Sequence, residues 1–270
     1  MSIRRINKYD INEDVFSRQV LIEGWNQKTI EKGKVFLAGA GALGNEVVKN
    51  LVLAGIGKIY IMDFDYVIKA NLNRCILFDL EDAELKIPKV EAIAKNIKKI
   101  LKNINTEIIP INGNLLEIDE NEDFLKEVDI YISCLDNVAS RLKLNLLSLI
   151  NNKPLVDGGM EGFEGYVRVV IPGKTACLEC DMNKEVVSER ISCSGRMLDN
   201  GIVLPLSSVS STTSIIGGVQ SQEVFKLLLD KDNSKLKGLA GKILYYMGSV
   251  NYISIVEVDR RKDCICNDFY

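Results

Sequence analysis

Short apolar runs alternate with stretches of helical period along the first half of the chain. The run from Lys34 to Ala40 (KVFLAGA) predicts a buried strand, and Leu43 to Leu53 a helix that opens directly from a glycine turn. Lys58 to Asp63 (KIYIMD) predicts a second strand ending in an acid. Val90 to Leu101 has helical period with its lysines on one face. Thr106 to Asn112 and Val128 to Cys134 (VDIYISC) predict further strands, and Asn137 to Asn151 a further helix. Apolar strands alternating with helices predict an α/β fold: a doubly wound, mostly parallel sheet with helices on both faces.

After Pro154 the pattern changes. Leu155 to Gly159, Gly165 to Ile171, Lys242 to Met247 and Tyr252 to Val258 predict strands that pair with one another or close the sheet's end, as an antiparallel C-terminal extension. A helix over Thr212 to Leu229 lies between them, entered through Pro205 and the Ser/Thr-rich run Ser207 to Ser214. No repeat, low-complexity tract or linker interrupts residues 1–270, so one continuous domain is expected. Its N-terminal arm covers about 1–30 and its C-terminal part about 154–270.

Composition narrows the chemistry. At 270 residues and 47% hydrophobic, the chain can bury a large core, and global disorder is excluded. A net charge of −3 argues against a surface that coats nucleic acid. The opening MSIRRINKYDINEDVF has no apolar core of a signal peptide, and no run reaches the roughly 18 apolar residues of a membrane span. A cytosolic location and no membrane partner are expected. Histidine is absent, which removes Ser-His-Asp and Cys-His nucleophiles, a His base and His metal ligands. In a reducing compartment the seven cysteines point to metal binding or reactivity rather than disulfides.

Gly39-Ala-Gly41-Ala-Leu-Gly44 is GxGxxG between a strand and a helix, the context that a Rossmann-like nucleotide turn requires. Gly39 permits the tight turn, Gly41 lets phosphate approach the backbone, and Gly44 lets helix and strand pack closely. Asp63 ends the next strand, where a carboxylate can bind ribose hydroxyls. On this pattern alone NAD is the default ligand. Arg74, in Asn71-Leu-Asn-Arg74, and Lys89, in Lys86-Ile-Pro-Lys89, shift the expectation: they follow Asp63 and Asp65 and add cations that suit a triphosphate whose pyrophosphate leaves. Read as surface cations in salt bridges, the same two residues carry no such meaning.

GAGALG, IMDFDYVIKANLNRC, IPK and SCLDN together resemble the superfamily that activates ubiquitin-like proteins, which includes the ThiF, MoeB and HesA types. Val156 to Cys180 is especially similar to the catalytic subunit of the NEDD8-activating enzyme. The resemblance implies that ATP and the C-terminal Gly-Gly carboxylate of a ubiquitin-like protein give an acyl adenylate and pyrophosphate. It implies that Gly41 lines the nucleotide, Asp63 binds ribose, Arg74 and Lys89 hold phosphates beside Asn71, and Asp136 of CLDN positions Mg2+. It also implies a homodimer in which Arg18 reaches the γ-phosphate across the interface. An attacking carboxylate is already ionised near neutral pH, so the missing histidine is no obstacle.

Cys177-Leu-Glu-Cys180 and Cys264-Ile-Cys266 supply four thiolates, enough for one tetrahedral structural Zn2+. The family pattern has CxxC in both places, and the tighter CxC here leaves room for strain or for a ligand from elsewhere. Cys193, in SERISCSGR, falls where the family places the cysteine that takes the acyl group as a thioester, or as a persulfide in sulfur-transfer members. Arg190 and Arg196 beside it would lower its pKa, although SGRMLDNGI departs from the family's pattern. Cys75, Cys134, Trp25 and Tyr245-Tyr246 are read as packing residues.

The leading expectation is therefore an ATP-dependent activator of a ubiquitin-like protein that hands its product to a conjugating enzyme. Three alternatives stand beside it. The same adenylation can serve thiocarboxylate formation with a sulfur donor, the chain can be an NAD-dependent oxidoreductase, or it can be a non-catalytic scaffold subunit.

Overall fold

The computed structural model describes residues 14–100, 105–182, 196–197, 203–204, 206–229 and 236–269. A 3-10 turn (Gln19–Leu21) and helix α1 (Gln27–Lys32) precede β1 (Lys34–Ala38) and α2 (Ala42–Leu53). There follow β2 (Lys58–Asp63), α3 (Leu80–Glu84), α4 (Lys89–Ile100), β3 (Glu107–Asn112), α5 (Asp123–Glu127), β4 (Ile130–Ser133) and α6 (Val138–Ile150). The later elements are β5 (Leu155–Glu161), β6 (Glu164–Val170), β7 (Arg196–Met197), β8 (Val203–Leu204), α7 (Ser210–Leu229), β9 (Lys242–Met247) and β10 (Tyr252–Glu257). Of the expected N-terminal arm, residues 1–13 lie outside the described residues.

An eight-stranded sheet runs in the order β10-β9-β6-β5-β4-β1-β2-β3. From β3 to β5 every pairing is parallel; from β5 to β10 every pairing is antiparallel. This is the expected doubly wound sheet with its C-terminal extension. Over β1, β2 and β4 both faces are covered, so successive strand residues there are apolar with little polar alternation, whereas β3 and β10 at the sheet's edges are largely exposed. In β1, Val35 and Leu37 pack under α2, α4 and α7, while Phe36 and Ala38 pack on the opposite face with α5 and α6. Ile59 and Ile61 of β2 divide from Tyr60 and Met62 in the same way. Trp25 stacks edge-on against Phe225 at 5.4 Å, Cys75 and Cys134 are buried, and Tyr246 packs partly buried on the core, as expected of packing residues. Tyr245 does not follow, because it points to the opposite face of β9 and its side chain is exposed.

Where structure and sequence pattern differ, local causes are visible. β1 stops at Ala38 because Gly39 turns the chain at φ +98°. β4 begins at Ile130 because Val128 closes α5 and the Asp129 carboxylate accepts the Lys34 backbone N–H at 3.0 Å.

Candidate active site

In an open α/β sheet, ligands bind beyond the carboxyl ends of the strands at the point where strand order reverses. Here that point lies between β1 and β4. A cleft of about 500 Å³ opens there, lined among others by Gly41, Asp63, Asn71, Arg74, Lys89 and Asp136. Residues far apart in sequence thus converge on one site.

The glycine turn forms its floor. A Cβ on Gly39 would lie 2.7 Å from the Cys134 carbonyl carbon, and one on Gly44 would overlap the Gly39 carbonyl. Gly41 differs: a Cβ there would meet nothing within 4 Å, and its φ of −74° suits any residue. The space above Gly41 is cleft, at the N-terminus of α2, where backbone N–H groups and the helix dipole favour phosphate. Gly41→Val should therefore abolish ATP binding in a titration and leave the melting temperature near wild type. Gly39→Ala should destabilise the fold, by about 1–3 kcal/mol from the positive φ alone.

Asn45 was not anticipated from the sequence. Fully buried in α2, it donates Nδ2 to the Ala40 and Gly41 carbonyls at 3.1 and 3.0 Å, and its Oδ1 accepts the Leu77 N–H at 2.9 Å. It ties the glycine turn to the loop that carries Arg74. That loop is closed by Asn71, whose Oδ1 accepts the Ile68 N–H and whose carbonyl accepts the Arg74 and Cys75 N–H groups.

Asp63 accepts the Ala40 and Asp65 backbone N–H groups at 2.7 and 2.8 Å. Burial pushes its carboxyl above the usual range, opposed by Lys89 and by those two hydrogen bonds. Lys89, itself buried, opens α4 and donates to the exposed Asp65 at 2.6 Å. Burial works to lower the Lys89 pKa, but Asp63 and Asp65 outweigh it and the net shift is upward, so Lys89 remains a cation in the cleft. Arg74 hydrogen-bonds the Ala70 carbonyl and Asn73 Oδ1. Among the described residues it has no carboxylate partner, so the salt-bridge reading of Arg74 is not realised, whereas Lys89 does form such a bridge. Asp136 is exposed, and the capping duty at α6 falls to Asn137, whose Oδ1 accepts the Ser140 N–H at 2.8 Å. Among the described residues this carboxylate caps no helix and pairs with no cation, and it lines the same cleft as the start of α2, an arrangement that fits a divalent ion.

Arg18 does not line the cleft. Its neighbour Gln19 donates to the Ala54 carbonyl at the far end of α2, a helix of 12 residues and so roughly 18 Å long. Within one chain Arg18 is remote from the phosphates. Cys193 lies outside the described residues. A buried cluster that the sequence reading missed borders the cleft: Arg141 pairs with Asp157, and Tyr166 donates to the other Asp157 oxygen at 2.9 Å. Burial opposes the charge on Arg141, and Asp157 outweighs it and raises the pKa further.

Cys177, Cys180, Cys264 and Cys266 form a separate cluster, all buried, with their sulfurs within 4.8 Å of one another. The contacts Cys177–Cys264, Cys180–Cys177 and Cys180–Cys266 measure 3.5, 3.9 and 3.7 Å. A tetrahedral Zn2+ with Zn–S bonds of about 2.3 Å needs sulfurs about 3.8 Å apart, so the set fits it. The CxC spacing needs no ligand from elsewhere. Asn267 Nδ2 donates to the Arg261, Lys262 and Cys264 carbonyls and shapes the turn that presents both sulfurs.

The ThiF family model matches residues 16–267. Molybdopterin-synthase adenylyltransferase of Escherichia coli (strain K12) is 30% identical over 235 residues, 86% of this chain and 86% of that protein. The ubiquitin-activating enzyme E1-like protein of Saccharomyces cerevisiae is 35% identical over 154 residues, 57% of this chain. The NEDD8-activating enzyme E1 catalytic subunit of Schizosaccharomyces pombe is 35% identical over 161 residues, 58% of this chain. The matches span 23% and 35% of those two longer proteins. Among solved structures, E. coli MccB with AMPCPP and MccA shares the fold at a TM-score of 0.75 and 23% identity, covering 97% of this chain and 76% of that one. No helix among the described residues is long and apolar enough to cross a membrane.

Proposed function

The chain belongs to the ThiF family, and from that premise we propose that it is an ATP-dependent adenylyltransferase acting on the C-terminal carboxylate of a ubiquitin-like protein. The observation that carries this reading is the convergence of the open glycine turn, Asp63, Arg74, Lys89 and Asp136 on one cleft. The turn at Gly41 and the start of α2 receive phosphate, and Asp63 binds the ribose hydroxyls. The substrate carboxylate forms a bond to the α-phosphorus as the bond to the bridging oxygen breaks and pyrophosphate leaves. Arg74 and Lys89 neutralise the charge that grows on the leaving group. Asp136 would hold Mg2+, which would supply further charge neutralisation for the leaving group. The carboxylate is ionised before it attacks, so the chain's residues position and shield it, and no base is required. NAD-dependent hydride transfer finds no support in the relatives named above, and a scaffold subunit would not need these cleft residues.

The acyl group then passes to Cys193, whose thiolate displaces AMP to form a thioester for delivery to a conjugating enzyme. Release of pyrophosphate only when a Gly-Gly-tailed protein is present tests the first step. For the second, Cys193→Ala should retain exchange and lose any thiol-sensitive adduct with that protein; an adduct that survives places the nucleophile elsewhere. A second reading, thiocarboxylate formation with a sulfur donor, is favoured by the match to the E. coli adenylyltransferase, which covers 86% of both chains. Mass spectrometry of the tail, for thiocarboxylate against thioester, separates the two. A homodimer that lends Arg18 to the partner's cleft accounts for its distance from its own cleft.

A further inference from the structure

The β4–β5 ladder ends at the pair Ser133 and Asp157, and the strands part there to form one wall of the cleft. Two side chains tie the parted ends, one on each face of the sheet. Gln220 of α7, fully buried, donates Nε2 to the Ser133 and Val156 carbonyls at 2.8 and 3.2 Å. Arg141, in the first turns of α6, donates to the Leu135 carbonyl on the β4 side, and to the Asp157 carboxylate and the Gly158 carbonyl (2.8 Å) on the β5 side. The Asp157 side chain is 2% exposed and that of Arg141 11%. The guanidinium reaches these acceptors from two separate nitrogens in a fixed plane, whereas an ammonium carries all its donors on one atom and acts as a point charge.

Leu135 precedes Asp136 directly. Among the described residues, the Asp136 carboxylate has one hydrogen bond, from Asn137 Nδ2 at 3.3 Å, so its direction is set by the turn that carries it. We propose that Arg141 is a positioning residue: it anchors the Leu135 carbonyl to β5 and so holds the Asp136 carboxylate where it can take the Mg2+ of a magnesium–nucleotide. This inference rests on the role given to Asp136 above. It does not make Arg141 essential to the fold, because Gln220 ties the same strands one step earlier.

The test is equilibrium titration of ATP with and without Mg2+, with no protein partner present. Wild type should bind ATP at least about 10-fold more tightly with Mg2+, and Asp136→Asn should lose that gain. Arg141→Lys should lose most of it while its Mg2+-free affinity stays within about 3-fold of wild type. The double variant Arg141→Leu/Asp157→Leu leaves no buried charge unpaired and should lose the gain as well. Tyr166→Phe removes a hydrogen bond from Asp157 but leaves the Leu135 anchor, so it should melt lower and keep the full response. A wild-type Mg2+ response in both Arg141 variants overturns the proposal. So does an equal loss with and without Mg2+, which would mean a general structural role. Wild type that binds ATP without any Mg2+ response removes the role of Asp136 and this inference with it. In this titration, failure to bind ATP at all is the outcome that would overturn the proposed function as well.

Discussion

Replacing Arg74 with alanine should reduce ATP–pyrophosphate exchange by about 10²- to 10³-fold, the scale set by removing one donor that stabilises charge in a transition state. The guanidinium lines the cleft and has no carboxylate partner among the described residues. Its bonds to the Ala70 carbonyl and to Asn73 are local and near the surface. Their loss should change stability by no more than about 0.5 kcal/mol. A large fall in exchange with an unchanged melting temperature is therefore the expected pair of results. The loss should fall mainly on turnover, because the charge that Arg74 meets is greatest as pyrophosphate departs. Normal exchange by Arg74→Ala would remove Arg74 from the reaction.

The second large effect concerns the cysteine cluster. Purified protein should contain one Zn2+ per chain, and Cys264→Ser should bind it weakly or not at all. The cluster joins the turn after β6 to the end of the chain and packs on α6, where Leu178 N–H donates to Asn145 Oδ1 at 3.1 Å. Without a cation, four sulfurs would share a buried space in which burial pushes Cys177 upward and Cys266 to about 11, while at Cys180 burial is outweighed by hydrogen bonds and the net shift is downward. Zn2+ relieves that crowding by binding the deprotonated sulfurs. Losing it should cost on the order of 3–5 kcal/mol, roughly 5–15 °C in melting temperature. Elemental analysis with thermal melts, before and after chelation, checks both statements. A fully stable, zinc-free protein would make the cluster a set of packed thiols.

Much of the core was legible because strands covered on both faces are written as unbroken apolar runs. KVFLA and KIYIM show this, and the elements they predict agree with those found at β1 and β2. Short helices were not legible. In α3, five residues are held by the reciprocal Asp79–Asp82 capping box rather than by an apolar period, and a period needs more turns to show. Gly39, Gly41 and Asp63, with Arg74 and Lys89, were legible as a glycine turn followed by an acid and two cations, whereas Asn71 and Asp136 were pointed to by the family resemblance; the structure brings all of them to one cleft. Arg141 and Asp157 were missed because they lie 16 residues apart and belong to no short motif. The available signal was Asp157 itself: a carboxylate in the apolar run LVDGG must be paired if it is buried. Asn45 offered the same kind of signal, a polar side chain on the buried face of α2. The distance of Arg18 from the cleft depends on where the N-terminal segment docks, which no local pattern states.

The most direct measurement is exchange of labelled pyrophosphate into ATP, with and without a candidate ubiquitin-like protein and with its tail shortened by the final glycine. Exchange that requires both the protein and the intact tail is the predicted result. ATP that binds and is cleaved with equal speed whether or not any such protein is present would contradict it.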